Sequence, residues 1–250
     1  MKLRLDQLLV RRGLVESRER AQALIMAGQV DLDGRGAAKA GTMVSEHAEV
    51  RVIGPDHPWV SRGGVKLAHA LDAFGLDVTG LLAVDIGAST GGFTDVLLAR
   101  GARTVVAVDV GHNQLHWRIR TDPRVVVVEG MNARHLTPAD LPDLAGGAGI
   151  ATVDVSFISL ALILPALATI VTHDADVVAL VKPQFEAGRK DAPKGIVRDP
   201  AVHARVQAEV TAKAAAIGWT RVAVTPSPIV GAKGNREFLM HLRLTSRGPA

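Results

Sequence analysis

The 250-residue chain contains no cysteine and no tyrosine. Without thiols it forms no disulfide, holds no thiolate metal site and runs no thiol redox chemistry, which fits a reducing compartment. Five phenylalanines and three tryptophans bring the aromatic fraction to 3%, too few for extensive base stacking on a nucleic acid. Long apolar runs are missing as well. The richest stretch, residues 160–171, is about a dozen residues, short of the ~20 that cross a bilayer. The opening Met1-Lys2-Leu3-Arg4-Leu5-Asp6 meets charge early, and again at Arg11-Arg12, before an apolar segment of export-signal length accumulates. The expectation is a globular, cytoplasmic protein with no membrane segment.

Apolar residues make up 48% of the chain, enough for a substantial core, and the net charge is +4. That excess mildly favours a polyanionic partner, and its location says more than its size. Within residues 1–30, six lysines and arginines stand against three acids. Leu5, Leu8 and Leu9 share helical spacing up to Gly13. A second helix is expected from an N-cap at Ser17 through Ala21, Leu24 and Ile25 to Ala27-Gly28, followed by a strand over residues 29–34. Gly54-Pro55-Asp56-His57-Pro58 interrupts regular structure. We therefore expect a small α+β domain at 1–55, a linker at 56–62 and a large domain at 63–250.

From Leu81 onward, apolar runs at 81–86, 104–110, 125–129, 150–155, 176–182 and 221–225 alternate with helical segments at 92–100, 113–120, 137–141, 159–171 and 200–217, with a last strand at 237–244. Continuous apolar runs suit strands buried on both faces, so the reading is a doubly wound, Rossmann-like α/β domain with a parallel sheet. Ligands of such sheets lie beyond the carboxyl ends of the strands, where Asp85, Asp109, Asp154 and Lys182 stand. The turn Asp85-Ile86-Gly87-Ala88-Ser89-Thr90-Gly91-Gly92-Phe93 allows close ligand approach at a helix N-terminus. An acid directly before it opposes a pyrophosphate and suits the sulfonium and ammonium of S-adenosylmethionine, which is preferred over NAD. Candidate cofactor contacts are Asp85, Gly87, Ala88, Ser89, Gly91, Gly92, Phe93, Asp109 and Asp154.

Lys66, Asp154, Lys182 and Glu237 each sit beside a landmark: Ser61-Arg62-Gly63-Gly64, Ser156-Phe157, Pro183 and Gly234-Asn235. A ribose hydroxyl is a poor nucleophile, so methylating it needs a base or a field that stabilises the developing alkoxide. Lys182 is the expected base. Lys66 and Asp154 orient the hydroxyl and the lysine, and Glu237 fixes the second lysine. His112 and His116, four apart on an expected helix, lack the third ligand and the glutamate of a zinc motif, so no metal is expected.

Residues 1–55 resemble an S-four-type RNA-binding module through Arg4-Leu5-Asp6, Arg11-Arg12-Gly13-Leu14, Ser17-Arg18 and Ala27-Gly28-Gln29-Val30. The remainder resembles the FtsJ-like methyltransferases, and the two together resemble the TlyA family. That resemblance rests further on Trp59-Val60-Ser61-Arg62-Gly63-Gly64, Asp154-Val155-Ser156-Phe157-Ile158-Ser159, Val181-Lys182-Pro183-Gln184-Phe185-Glu186 and Gly234-Asn235-Arg236-Glu237-Phe238. It implies methylation of cytidine 2′-hydroxyls in ribosomal RNA, the Lys66-Asp154-Lys182-Glu237 catalytic set, and a place for Asn132 near the adenine of the cofactor. Arg4, Arg18, Arg20 and Lys39 in the front unit, and Arg62, Arg134 and Arg189 near the catalytic edge, are the expected RNA contacts. No protein partner is implied. The weighed alternatives are a membrane-active cytolysin, suggested by the family's historical haemolysin label, a non-catalytic RNA-binding assembly protein and an NAD-linked dehydrogenase.

Overall fold

In a computed structural model the chain divides into two units, Met1–Pro58 and Trp59–Ala250. The structure describes every residue except 1, 16, 27, 37, 38, 54–56, 145, 189 and 246–250, and at 142 the backbone alone. The chain-breaking residues Gly54, Pro55 and Asp56, the helix-ending Ala27 and the expected RNA contact Arg189 lie outside the described residues.

The first unit opens with a strand absent from the sequence reading, β1 (Lys2–Arg4), followed by α1 (Leu5–Arg11) and α2 (Arg18–Met26). After them come β2 (Val30–Leu32), β3 (Arg35–Gly36), β4 (Met43–Ser45) and β5 (Val50–Val52). β1 pairs with β4, while β3, β2 and β5 form a second antiparallel sheet. Leu5, Leu8 and Leu9 are buried against Ala21, Leu24, Ile25 and Val30, as helical spacing requires. Ser17 caps α2, its Oγ accepting from the Arg20 amide at 3.1 Å. Asp6 has no exposed surface, and it accepts from Arg4 Nε at 3.0 Å, Arg4 Nη2 at 2.9 Å and Gln22 Nε2 at 3.0 Å.

The second unit runs α3 (Gly63–Phe74), β6 (Leu82–Ile86), α4 (Gly92–Ala99), β7 (Thr104–Asp109), α5 (Trp117–Arg120), β8 (Val125–Glu129), β9 (Ala148–Val153), α6 (Leu164–Ile170), β10 (Val171–Val181), α7 (Pro183–Glu186), α8 (Pro200–Ala215), β11 (Trp219–Pro226) and β12 (Phe238–Leu244). Its seven strands are ordered β11-β12-β10-β9-β6-β7-β8. β8, β7, β6, β9 and β10 are parallel, whereas β12 is antiparallel to both its neighbours. Buried clusters cover both faces of the sheet, one around Val84, Val106 and Val153, the other around Ala83, Val105 and Ile150, because successive strand residues point to opposite faces. The doubly wound α/β reading holds, with one strand, β12, running antiparallel to the rest. The chain turns back from β11 through residues 227–237, so β12 enters from the opposite end.

Four expectations change. The helix expected at 113–120 is reduced to α5, because the Gly111 and Asn113 amides bond to the carboxylates of Asp109 and Glu129 at 2.7 and 2.9 Å and Asn113 takes a left-handed φ of 56°. His112 and His116 therefore share no helix; His116 caps α5 instead, accepting from the Arg118 amide. The segment 137–141 is a 3₁₀ turn, and 159–171 splits into a 3₁₀ turn and α6. Part of the expected linker 56–62 packs into the second unit: Trp59 and Val60 lie against its core, and the Val60 amide donates to Asp95 Oδ2 at 2.8 Å. α3 went unread, since its apolar positions begin directly after a Gly-Gly pair. Among the described residues no helix is long and apolar enough to cross a membrane.

Asp6 yields a stability prediction for the front unit. Its bonds to Arg4, and then to Gln22 and Arg18, hold the carboxyl well below the usual carboxylate range despite burial. A carboxyl with a depressed folded-state pKa contributes stability above its unfolded value near 4, and loses that contribution as pH falls further. Asp6→Asn should lower the stability of this unit at pH 7 by on the order of 1–2 kcal/mol, the arginine partners being half exposed. The deficit should shrink below about pH 4. Hydrogen exchange of α1 and α2 amides in the full chain, measured against pH, checks this.

Candidate active site

β6 and β9 are neighbours whose outgoing connections leave in opposite directions, which opens a crevice at their carboxyl ends. The glycine turn fills its floor. The Gly87 and Ala88 amides donate to the Val108 carbonyl at 2.8 and 3.1 Å, and the Asp154 amide donates to the Ile86 carbonyl at 2.9 Å. Gly87 has φ 82°, and a Cβ there would stand 2.5 Å from the Asp154 carbonyl oxygen, so only glycine lets the two strand ends approach.

Asp85 does not face this crevice. It is fully buried beneath the turn, with its two oxygens accepting from Thr94 Oγ1 at 2.7 Å and Thr152 Oγ1 at 2.8 Å. The expectation that its charge meets a ligand is corrected: the strand's alternation points residue 85 inward. Desolvation outweighs those bonds and pushes its pKa up to about 6.

Two cavities meet at the turn. One, of about 480 Å³, is lined by Gly87, Ser89, Asp109, Met131, Asn132 and Phe157, among others. Asp109 holds its wall by accepting from the Ser89 amide at 2.8 Å and the Gly111 amide at 2.7 Å, which leaves lone pairs for further donors. Asn132 caps the turn at Ala133–His135 through its Oδ1. The second cavity, of about 510 Å³, contains Lys66, Lys182, Asp154, Ser156, Arg62 and Lys233 in its wall. Gly87, Ser89, Asp154 and Ser156 line both.

Strand register assembles the charged groups. β9 pairs with β10 at Val153–Ala179, and β10 with β12 at Val181–Phe238, so Asp154, Lys182 and Glu237 leave the sheet at one edge. The first turn of α3 brings Lys66 to the same edge. Lys66 Nζ donates to Glu237 Oε2 at 2.6 Å. Lys182 Nζ lies 2.6 Å from Asp154 Oδ1 and donates to Ser156 Oγ at 2.9 Å. All four side chains are largely buried, and Asp154 Oδ1 accepts no hydrogen bond beyond that ion pair. Gly231 packs so closely on Glu237 that a Cβ would overlap Oε1. The arrangement is two lysine–carboxylate pairs around an open space, adjoining a cavity suited to a nucleoside.

Among the remaining expected contacts, Ala88, Ser89, Gly92 and Phe93 line the second cavity, while Gly91 lies behind the turn against Leu115 and Ile119. Arg62 is exposed at the cavity wall, and Arg134 is exposed beside Asn132. Arg4, Arg18, Arg20 and Lys39 belong to the first unit, where Arg4 and Arg18 both pair with Asp6. The sequence reading used Phe157 only as part of a landmark and gave it no role. It is 90% exposed, holds φ 65°, and its ring centroid lies 4.9 Å from that of Phe185.

An FtsJ-like methyltransferase family model matches residues 59–244, and an S4 domain model matches residues 3–50. The chain is 50% identical to the 16S/23S rRNA (cytidine-2′-O)-methyltransferase TlyA of Mycobacterium tuberculosis over 96% of this chain and 89% of that protein. It is 40% identical to Hemolysin A of Brachyspira hyodysenteriae over 96% of this chain and 99% of that protein. A solved structure from Streptococcus thermophilus, carrying a hemolysin label, aligns with a TM-score of 0.78 at 48% identity, covering 98% of this chain and 90% of that one.

Asp85 makes the site's stability depend on pH. An acid whose folded pKa is raised binds protons more readily folded than unfolded, so its cost appears as pH rises from about 4 to 6. Asp85→Asn keeps both hydroxyl partners and removes the buried charge. The expected result is a more stable second unit at pH 7, by at most about 3 kcal/mol, with the gain vanishing near pH 4. Thermal unfolding of both forms across that range tests it.

Proposed function

The chain belongs to the FtsJ-like methyltransferase family, and on that premise we propose that it transfers a methyl group from S-adenosylmethionine to the 2′-hydroxyl of a cytidine in ribosomal RNA. The carrying observation is the convergence of the Lys66–Glu237 and Lys182–Asp154 pairs on one cavity. The S4 domain match and the name of the Mycobacterium tuberculosis relative support an RNA substrate. Such a substrate puts the work in the cytoplasm.

The cofactor cavity fits S-adenosylmethionine. Asp109 has free acceptor capacity for ribose hydroxyls, Asn132 and Met131 flank the space for the adenine, and Gly87 leaves room where a Cβ would close it. When bound, the cofactor supplies an electrophilic methyl on a sulfonium. Asp154, shared by both cavities, supplies negative charge near that sulfonium.

The acceptor ribose occupies the cavity of Lys66 and Lys182. Ser156 and Asp154 fix Lys182 Nζ, and Glu237 fixes Lys66. As the hydroxyl oxygen attacks in line, Lys182 takes its proton, and Lys66 stabilises the charge that develops on oxygen. Phe157, in the wall of the adjoining cofactor cavity and next to the shared Ser156, offers an exposed ring on which an unpaired base stacks.

Lys182→Ala should abolish methyl incorporation into ribosomal RNA while RNA affinity survives, scored by mass spectrometry and direct binding. Lys182→Arg, always cationic, should be nearly as inactive; substantial activity in it removes the base assignment. Phe157→Ala should lower kcat/KM for RNA by roughly 5- to 100-fold, in keeping with ~1–3 kcal/mol per stacked base, and Phe157→Trp should restore most of it.

A further inference from the structure

Two loops beside the catalytic cavity are joined by one buried amide. Asn235 is 2% exposed. Its Oδ1 accepts from the Val197 amide at 3.0 Å, and its Nδ2 donates to the Gly195 and Ala232 carbonyls at 2.9 and 3.0 Å. His203 Nε2 adds a bond to the Val197 carbonyl at 3.1 Å. With the amide's acceptor and donor both engaged, residues 195–197 and 231–235 form one lip.

That lip carries cations in an unusual backbone state. Lys194 and Lys233 each hold φ 57°, a left-handed conformation that lysine rarely adopts and that is often retained for function. Lys233 Nζ donates to the Lys194 carbonyl at 3.2 Å. Lys233 lines the catalytic cavity, while Lys194 lines a separate groove of about 500 Å³ together with Arg198, Asp191 and Asp199. The Lys233–Lys194 hydrogen bond links a wall residue of each hollow. The groove's carboxylates are already engaged: Asp191 pairs with Arg205, and Asp199 caps α8 by accepting from the Ala201 amide at 2.8 Å. Lys194, Arg198 and Lys233 are exposed and have no carboxylate partner among the described residues.

We infer that this lip is a phosphate subsite: Lys233, Lys194 and Arg198 hold the RNA phosphodiesters next to the methylated nucleotide as the strand passes from the catalytic cavity into the second groove. The inference rests on the proposed RNA methyl transfer. Cations without carboxylate partners, running from the catalytic cavity into the second groove, suit a sugar-phosphate chain, and phosphate contacts fix register without reading sequence. Asn235 is the positioning residue that keeps the two halves of the track aligned.

The test uses the full chain and a ribosomal RNA fragment containing the methylated site. Lys194→Asn and Lys233→Asn remove charge with a residue that tolerates the left-handed backbone, and Arg198→Gln completes the set. RNA affinity is measured by fluorescence anisotropy across a salt series. Each substitution should make the log–log salt dependence shallower by about 0.7, the value for one single-strand phosphate contact. The triple variant should bind roughly tenfold more weakly at low salt, with S-adenosylhomocysteine affinity retained. Asn235→Ala should weaken RNA binding without changing the slope as much. Wild-type salt dependence in the triple variant overturns the subsite. Methyl incorporation, scored in parallel, tests the underlying reaction separately: its absence in the wild type, alongside lip-dependent RNA affinity, overturns methyl transfer and leaves the phosphate subsite standing.

Discussion

The ion pair between Lys66 and Glu237 ties residues 171 positions apart in the chain and joins α3 to the start of β12 at the wall of the charged cavity. A buried lysine or a buried glutamate alone is costly in a low-dielectric site, whereas breaking a formed pair strands the survivor. The sheet therefore has to deliver Glu237 at the end where β10 finishes, which is why β12 must run antiparallel to β10. The β9–β10 register places Lys182 within reach of Asp154. A seventh strand inserted between β10 and β11 thus supplies a carboxylate to the carboxyl edge of a parallel sheet from the amino end of its own run.

Gly87 and Asp85 show how the crevice is kept open and tight. The glycine allows the β6 end to approach the backbone of Asp154, so one residue pair forms the wall between the two cavities. The buried acid anchors α4 and β9 through Thr94 and Thr152. Its raised pKa is the cost of holding a carboxylate there, and it makes the floor of the crevice less stable at neutral than at acid pH.

The front unit solves a different problem. Its core is small, built from a dozen or so side chains of α1, α2 and short strands. Asp6 compensates by gathering Arg4, Arg18 and Gln22 around one buried carboxylate. Two arginines expected to meet RNA are thereby held in fixed directions with part of each guanidinium still exposed, an arrangement that lowers the ordering cost of a phosphate contact.

Periodicity sufficed for the doubly wound domain, because strands such as Val105–Val108 are apolar on both faces, while landmark motifs and the family resemblance singled out the four charged residues and the glycine turn. Local pattern could not reveal that Asp85 points inward, that Trp59 leaves the linker for the second core, or that side chains of Asp109 and Glu129 unravel the expected helix before Trp117. Apart from the local Gly111–Asp109 bond, those outcomes follow from contacts between residues well separated in sequence. Pairing of each lysine with its carboxylate, the division into two cavities and the lip fixed by Asn235 likewise come from strand register and loop packing. The sequence by itself determined which chemical groups were available and the class of fold that carries them; the tertiary structure decided which groups meet, since a register shift of one residue would turn each edge side chain to the opposite face.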